Sequence, residues 1–297
     1  MSKKASSSSL KKNSSKSLLV CPKTQRVFDR KGYRAETKLS EGAFGEVFKG
    51  YNTSSGDKVA IKVMDLKKMA QRVQEVFLPR EIEALATIRH KFVVEVFDIF
   101  QADDKLFIFM EFANQGDIKG WILKHGALEE SVAAYWFNQV CQALDYIHNT
   151  LEMVHRDIKV DNVLLHDHKA KLSDFGFARV LKMKDGKIPL SQTYCGTPTY
   201  YCPQLIDRKP YNAYCADNWA MGVMLFVMMN NKHPFSSSKM PQVRQQMNDP
   251  NHLSTRYIKD FPQDYKELQE SFFIVDEEQR ATMIQALQSA WLLRHKR

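Results

Sequence analysis

The segment His155-Arg156-Asp157-Ile158-Lys159-Val160-Asp161-Asn162 constrains this chain more than any other. Asp157, Lys159 and Asn162 stand at i, i+2 and i+5, an acid, a cation and an amide close enough to share one loop. Such a set can accept a proton, offset charge on a phosphoryl group and donate an oxygen to a metal ion. Twelve residues past Asn162 comes Asp174-Phe175-Gly176, after the strand-like Ala170-Lys171-Leu172. Two further pieces precede them, Gly42-Ala43-Phe44-Gly45 between two strand-like runs and Val59-Ala60-Ile61-Lys62 on a third. Any one piece arises by chance, but the four in this order do not.

Around these pieces the texture changes once. Tyr33–Glu41, Glu46–Asn52, Lys58–Met64, Glu95–Phe100 and Lys105–Phe112 are rich in β-branched and aromatic residues and are separated by turn residues, so five strands are expected. Pro79 can open a helix whose apolar stripe includes Ile82, Leu85 and Ile88. After Gln115-Gly116-Asp117 the pattern is helical. Glu130–Asn149 repeats Val132, Trp136, Val140, Leu144 and Ile147 near the helical period. Trp219–Met229 is apolar all round and predicts a helix at the centre of a large lobe. Shorter helices are expected near Pro241–Asn248, Asp264–Phe273 and Thr282–Ser289. The fold class is α+β, with a small five-stranded lobe and one helix joined at about Phe112–Asp117 to a larger helical lobe. No internal repeat is visible.

Composition excludes several functions. The net charge is +9, but residues 1–26 hold seven cations and no acid, so the remainder carries only +2. The first 17 residues contain eight serines, the composition of a disordered basic tail, expected over 1–26. Nucleic acid as a partner rests on that tail alone, and a solvated arm explains it as well. The longest apolar run, Trp219–Met229, is 11 residues and too short for a membrane span. No secretory signal is legible, and the five cysteines form no Cys-x-x-Cys pair, so a reducing, cytoplasmic location is expected.

The glycine turn lies between two strands and not between a strand and a helix, which fits neither a dinucleotide fingerprint nor a Walker loop. A hairpin of this kind can close over phosphates with backbone N–H groups. Lys62 on a strand often only lays its stem along apolar surface. Gripping phosphates requires a carboxylate to hold it, and Glu81 on the next helix is the candidate.

The ordered motifs resemble those of the eukaryotic protein kinases, from about Tyr33 to Trp291. Cys195-Gly196-Thr197-Pro198, Asp217-Asn218-Trp219-Ala220-Met221-Gly222 and Arg280 extend the likeness. Lys159, two residues after Asp157, is the serine/threonine form. The stretches Phe77-Leu78-Pro79-Arg80-Glu81, Gln115-Gly116-Asp117, Ser173-Asp174-Phe175-Gly176-Phe177 and Leu190-Ser191-Gln192-Thr193-Tyr194-Cys195-Gly196 resemble the testis-specific serine kinases, in the calmodulin-dependent/AMP-activated branch.

The resemblance implies a bilobal domain over 33–293, with lobes at about 33–112 and 117–293, using ATP and Mg²⁺. Lys62 with Glu81 would hold the α- and β-phosphates, and Asn162 and Asp174 the metal. Asp157 would accept or orient the substrate hydroxyl, with Lys159 offsetting charge on the transferred group. Leu39, Gly42, Phe44, Gly45, Val47 and Ala60 would cover the nucleotide above Leu164. Met110 would be the gatekeeper, Glu111 and Ala113 would offer backbone groups to adenine, and Asp117 would reach the ribose. Thr193 matches an activating phosphorylation site, to be modified by an upstream kinase and paired with Arg156. Thr197 would bond near Asp157 and Lys159. Leu85, Val96, His155 and Phe175 match a packed spine, making His155 a core residue. Substrates would be Ser/Thr proteins, with Asp117 and Asp161 suggesting basic residues upstream of the target. A monomer and a role in sperm formation are further implications.

Two positions depart from the family. Ser40 replaces a glycine of the phosphate hairpin. Cys202-Pro203-Gln204 stands where related chains have Ala-Pro-Glu, so Arg280 meets an amide and not a carboxylate. The first change predicts weakened ATP binding at most. The second predicts a less firmly anchored activation segment, and together they keep open a scaffold with little catalysis.

Overall fold

The computed structural model describes residues 20–42, 45–68, 85, 87–182 and 188–296. Five antiparallel strands form the first lobe: β1 (Tyr33–Gly42), β2 (Gly45–Asn52), β3 (Lys58–Asp65), β4 (Val96–Ala102) and β5 (Lys105–Glu111), in the order β1-β2-β3-β5-β4. Val47 lies opposite Lys62 and Ala60 opposite Met110. Period-two alternation splits the apolar side chains of these strands between two faces. Phe48, Ile61, Phe107 and Phe109 share one, while Met64, Leu66, Leu106 and Ile108 form a second cluster.

The first of those faces is covered by a helix that sequence reasoning missed. α1 (Pro22–Lys31) buries Phe28 completely, edge-on to Phe107 and Phe109 with ring centroids 6.0 Å away in both cases. The expected tail over 1–26 is therefore corrected for residues 22–26, which belong to this helix; residues 1–19 lie outside the described residues. Pro22 at the first helical turn and Gly32 in the left-handed conformation at its end are ordinary boundary signals. They were masked by the cationic run, because one fully buried aromatic anchors the helix and leaves no apolar stripe. The helix expected after Pro79 falls mostly on 69–84, outside the described residues, as does Glu81.

The second lobe is mainly helical, with α2 (Ile118–His125), α3 (Glu130–Asn149), α4 (Ala213–Asn230), α5 (Met240–Asn248), α6 (Gln263–Phe272) and short terminal turns. α4 is buried over nearly all its length, as its all-round apolar sequence requires. Two small two-stranded sheets flank the loops near Asp157 and Asp174: β6 (Met153–Val154) pairs with β9 (Arg179–Val180), and β7 (Val163–His166) with β8 (Lys169–Leu172). No described helix is long and apolar enough to cross a membrane.

Candidate active site

A cavity of about 530 Å³ lies between the sheet and β7. That volume falls in the ordinary range for small-ligand sites. Leu39, Val47, Ala60, Met110, Ala113 and Leu164 give it apolar walls, and Lys62, Asp117, Asn162 and Asp174 line it with polar groups. Ten expected residues thus meet in one place. Gly42 and Gly45 pair at the base of the β1–β2 hairpin outside that lining, and Phe44 is outside the described residues. A Cβ on Gly45 would sit 2.0 Å from the Val63 carbonyl oxygen, so close approach to β3 already demands glycine there. Ser40 sits in extended β1 opposite Val47 and lines the cavity, so its Cβ brings no backbone strain.

Glu111 engages its side chain and its N–H elsewhere. Its side chain turns from the cavity to Lys171, 2.7 Å away, and its N–H donates to the Glu95 carbonyl. Only its carbonyl is left to serve as the expected backbone group.

Lys62 donates from Nζ to Asp174 Oδ1 at 2.7 Å. Burial alone would raise the Asp174 carboxyl, but the charge and hydrogen bond of Lys62 outweigh it and hold the group below its ordinary value. Asp174 stays ionised, with φ at 58° turning it toward the cleft. Phe175 beside it packs on His155 with ring centroids 4.8 Å apart. His155 is fully buried, and burial keeps its imidazole below the ordinary value, against the pull of nearby carboxylates.

The loop that carries Asp157 hangs from α4. Asp217, 2% exposed, accepts the backbone N–H groups of His155 and Arg156, both at 2.8 Å, and faces His148 Nε2 at 3.0 Å. Arg156 takes φ of 66° to present both neighbouring N–H groups to one carboxylate. At the far side of the loop, Asn162 Nδ2 donates to the Asp157 carbonyl at 2.8 Å and to Oδ2 at 3.0 Å. Asn162 also lines the cavity.

Asp157 is held by two more groups. Lys159 Nζ lies 2.8 Å from Asp157 Oδ2, and the Thr197 hydroxyl donates to Oδ1 at 2.7 Å while accepting from Lys159 at 2.8 Å. Gly196 makes this closure possible. Its φ is +94°, and a Cβ there would lie 2.4 Å from the Arg156 carbonyl oxygen.

Among the described residues no three His, Cys, Asp or Glu side chains gather to cage a metal. An Asp–Asn pair suits an ion that shares its shell with phosphates and water, as Mg²⁺ does. The basic-substrate expectation finds less support. Asp117 Oδ1 caps α2 by accepting the Gly120 N–H at 2.7 Å, and Asp161 is paired with Lys119 at 2.6 Å.

Residues 33–292 match the protein kinase domain family. Testis-specific serine/threonine-protein kinase 4 of Homo sapiens is 30% identical over 286 residues, covering 90% of this chain and 84% of that protein. Testis-specific serine/threonine-protein kinase 1 of Mus musculus is 39% identical over 220 residues, 73% of this chain and 60% of that one. The chain thus spans about three fifths of the latter's length. The probable serine/threonine-protein kinase MARK-A of Dictyostelium discoideum is 31% identical over 256 residues, 86% of this chain and 23% of that protein.

Proposed function

The chain belongs to the protein kinase domain family, among its serine/threonine members, and on that premise we propose that it transfers the γ-phosphoryl group of Mg-ATP to Ser/Thr hydroxyls of proteins. The observation that supports this most is the joint placement of Lys62, Asp174, Asn162 and Asp157 around the cleft. Lys62, now paired with Asp174, would grip phosphate oxygens, and Asn162 and Asp174 would hold Mg²⁺. A metal ion held by Asn162 and Asp174 would supply positive charge against the charge developing on the transferred group. Asp157 orients the incoming hydroxyl and takes its proton. Lys159 stabilises charge on the group in transfer, and the Thr197 hydroxyl keeps both in register. The work is positioning and electrostatics, with no covalent intermediate.

Thr193 is the proposed activating site. It is exposed, and its carbonyl accepts from the Tyr211 hydroxyl at 2.7 Å. A phosphate there would pair with Arg156, whose guanidinium meets the Phe177 carbonyl. We assign the domain to 33–293, the preceding basic segment to a regulatory arm, and the setting to cytoplasmic signalling in sperm formation by analogy with the relatives.

The test is transfer from Mg-ATP to a Ser/Thr peptide library, with wild type beside Asp174→Asn. Wild type should exceed the variant by about a thousandfold. Equal background signals, before and after stoichiometric phosphorylation of Thr193, would replace this reading with the scaffold.

A further inference from the structure

A second cavity, of about 260 Å³, opens beside the catalytic loop. It shares Lys159 and Thr197 with the Asp157 cluster, so a chain presenting a hydroxyl to Asp157 has this groove beside it. Its charged lining consists of Lys119, Lys159, Lys232 and Asp161, with His233 beside them.

The two acids within reach are already matched. Asp161 Oδ1 lies 2.6 Å from Lys119, and Asp157 Oδ2 lies 2.8 Å from Lys159. Lys232 has no hydrogen-bond or ion-pair partner among the described residues, and His233 carries a buried Nδ1 without a partner. The groove is therefore left with an excess of positive charge and an unfilled polar atom. Beyond Lys119 its α2 wall is apolar. Ile122 lines it, and Leu123, four residues from Lys119, is 76% exposed. A cation set beside an exposed apolar wall suits an extended segment that carries an acid next to a large apolar residue.

We propose that this groove seats an anionic side chain of the substrate, a carboxylate or a phosphate, so that the enzyme selects acidic Ser/Thr segments. This deepens the kinase reading above and rests on it. It also reverses the basic preference suggested by Asp117 and Asp161 in the sequence. Lys119 neutralises one of those acids, and capping of α2 occupies an oxygen of the other.

The experiment compares serine peptides bearing Glu, phosphoserine, Arg or Ala at each position flanking the acceptor. Transfer is read beside peptide affinity by fluorescence anisotropy. Wild type should favour Glu over Arg at one position by about fivefold, the scale of a partly exposed ion pair. Lys119→Glu with Lys232→Glu should reverse that ratio, and Lys232→Arg should keep it. Preference for phosphoserine without Glu assigns the site to previously phosphorylated substrates. Equal binding of Glu and Arg peptides, or stronger binding of Arg, overturns the inference while transfer preserves the kinase reading. Acid-selective binding without transfer to any peptide supports the groove and removes the kinase reading.

Discussion

The stretch from His155 to Gln204 is tied down at its two ends by buried charges that are satisfied in opposite ways. Near Asp157, ionised groups meet strong partners. Asp217 accepts two backbone N–H groups, and Asp157 is held by Lys159, Asn162 and Thr197. At the other end Arg280, 2% exposed, makes its hydrogen bonds to dipoles, with the Glu277 carboxylate close enough to act on its charge but not paired with it. It donates to the carbonyls of Ile274, Cys215 and Val275, stacks 5.0 Å over Trp219, and reaches Gln204 Oε1 at 3.4 Å. Burial pulls its guanidinium below the ordinary value. The difference separates precision from tenure. A carboxylate with several short donors fixes loop geometry to fractions of an ångström, whereas a ring of carbonyls tolerates a cation without dictating where the segment sits.

The largest expected break in this contrast is Asp217→Asn. The amide keeps the shape but offers one acceptor oxygen to three donors, and its NH₂ faces a backbone N–H. Loss of charge-assisted bonds at a buried site should cost about 3 kcal/mol of stability and most of the transfer activity. Chemical denaturation checks it. A loss below about 1 kcal/mol would show that the loop is not suspended from Asp217.

Acid provides a second break confined to the first region. His155 has a folded pKa below the unfolded value of 6.5, so the native state binds fewer protons than the unfolded chain. Stability from this group is complete above the unfolded pKa and declines as pH falls below it. The denaturant midpoint should therefore drop between pH 7.5 and 6, the window in which unperturbed histidines begin to titrate. His155→Gln should flatten that slope, and an unchanged slope would move the effect to His90 or His233, which burial also lowers.

Legibility in the sequence follows the same division. Asp157, Lys159, Asn162, Asp174 and Lys62 were readable because their chemistry demands fixed residue types at fixed spacing, and the structure brings four of them to one cleft wall or to its edge. The strands and α4 were readable from periodicity. Helix α1 was not, since a single buried Phe28 leaves no period to detect. Of the β7–β8 hairpin only the strand-like Ala170–Leu172 was readable, because Asp167 and His168 turn it with φ of 47° and 63°, where glycine would be the usual signal. Lys119 carries no motif, and its pairing with Asp161 spans 42 residues and exists only once α2 is folded. Spacing reveals chemistry that local chain must present, while charge cancellation across the fold is a tertiary fact.

The smallest expected effect sharpens the second region. In Gln204→Glu a carboxylate would face Arg280 directly and add to the more distant charge of Glu277, which favours the folded state. The same change removes the Gln204 Nε2 bond to the Val275 carbonyl, now 2.8 Å, and sets an anion beside that oxygen. Val275 still receives Arg280 Nη2 at 3.2 Å, so its carbonyl keeps a donor. The ion-pair gain should exceed the lost neutral bond by about 1 kcal/mol, raising Tm by about 3 °C for a chain of this size. Arg280→Lys in both backgrounds isolates the pairwise term, because lysine cannot reproduce the planar fork. A coupling energy near zero, with no rise in Tm, would mean that the carbonyl ring already satisfies Arg280. The amide at 204 would then be a neutral substitution and not a weakened anchor.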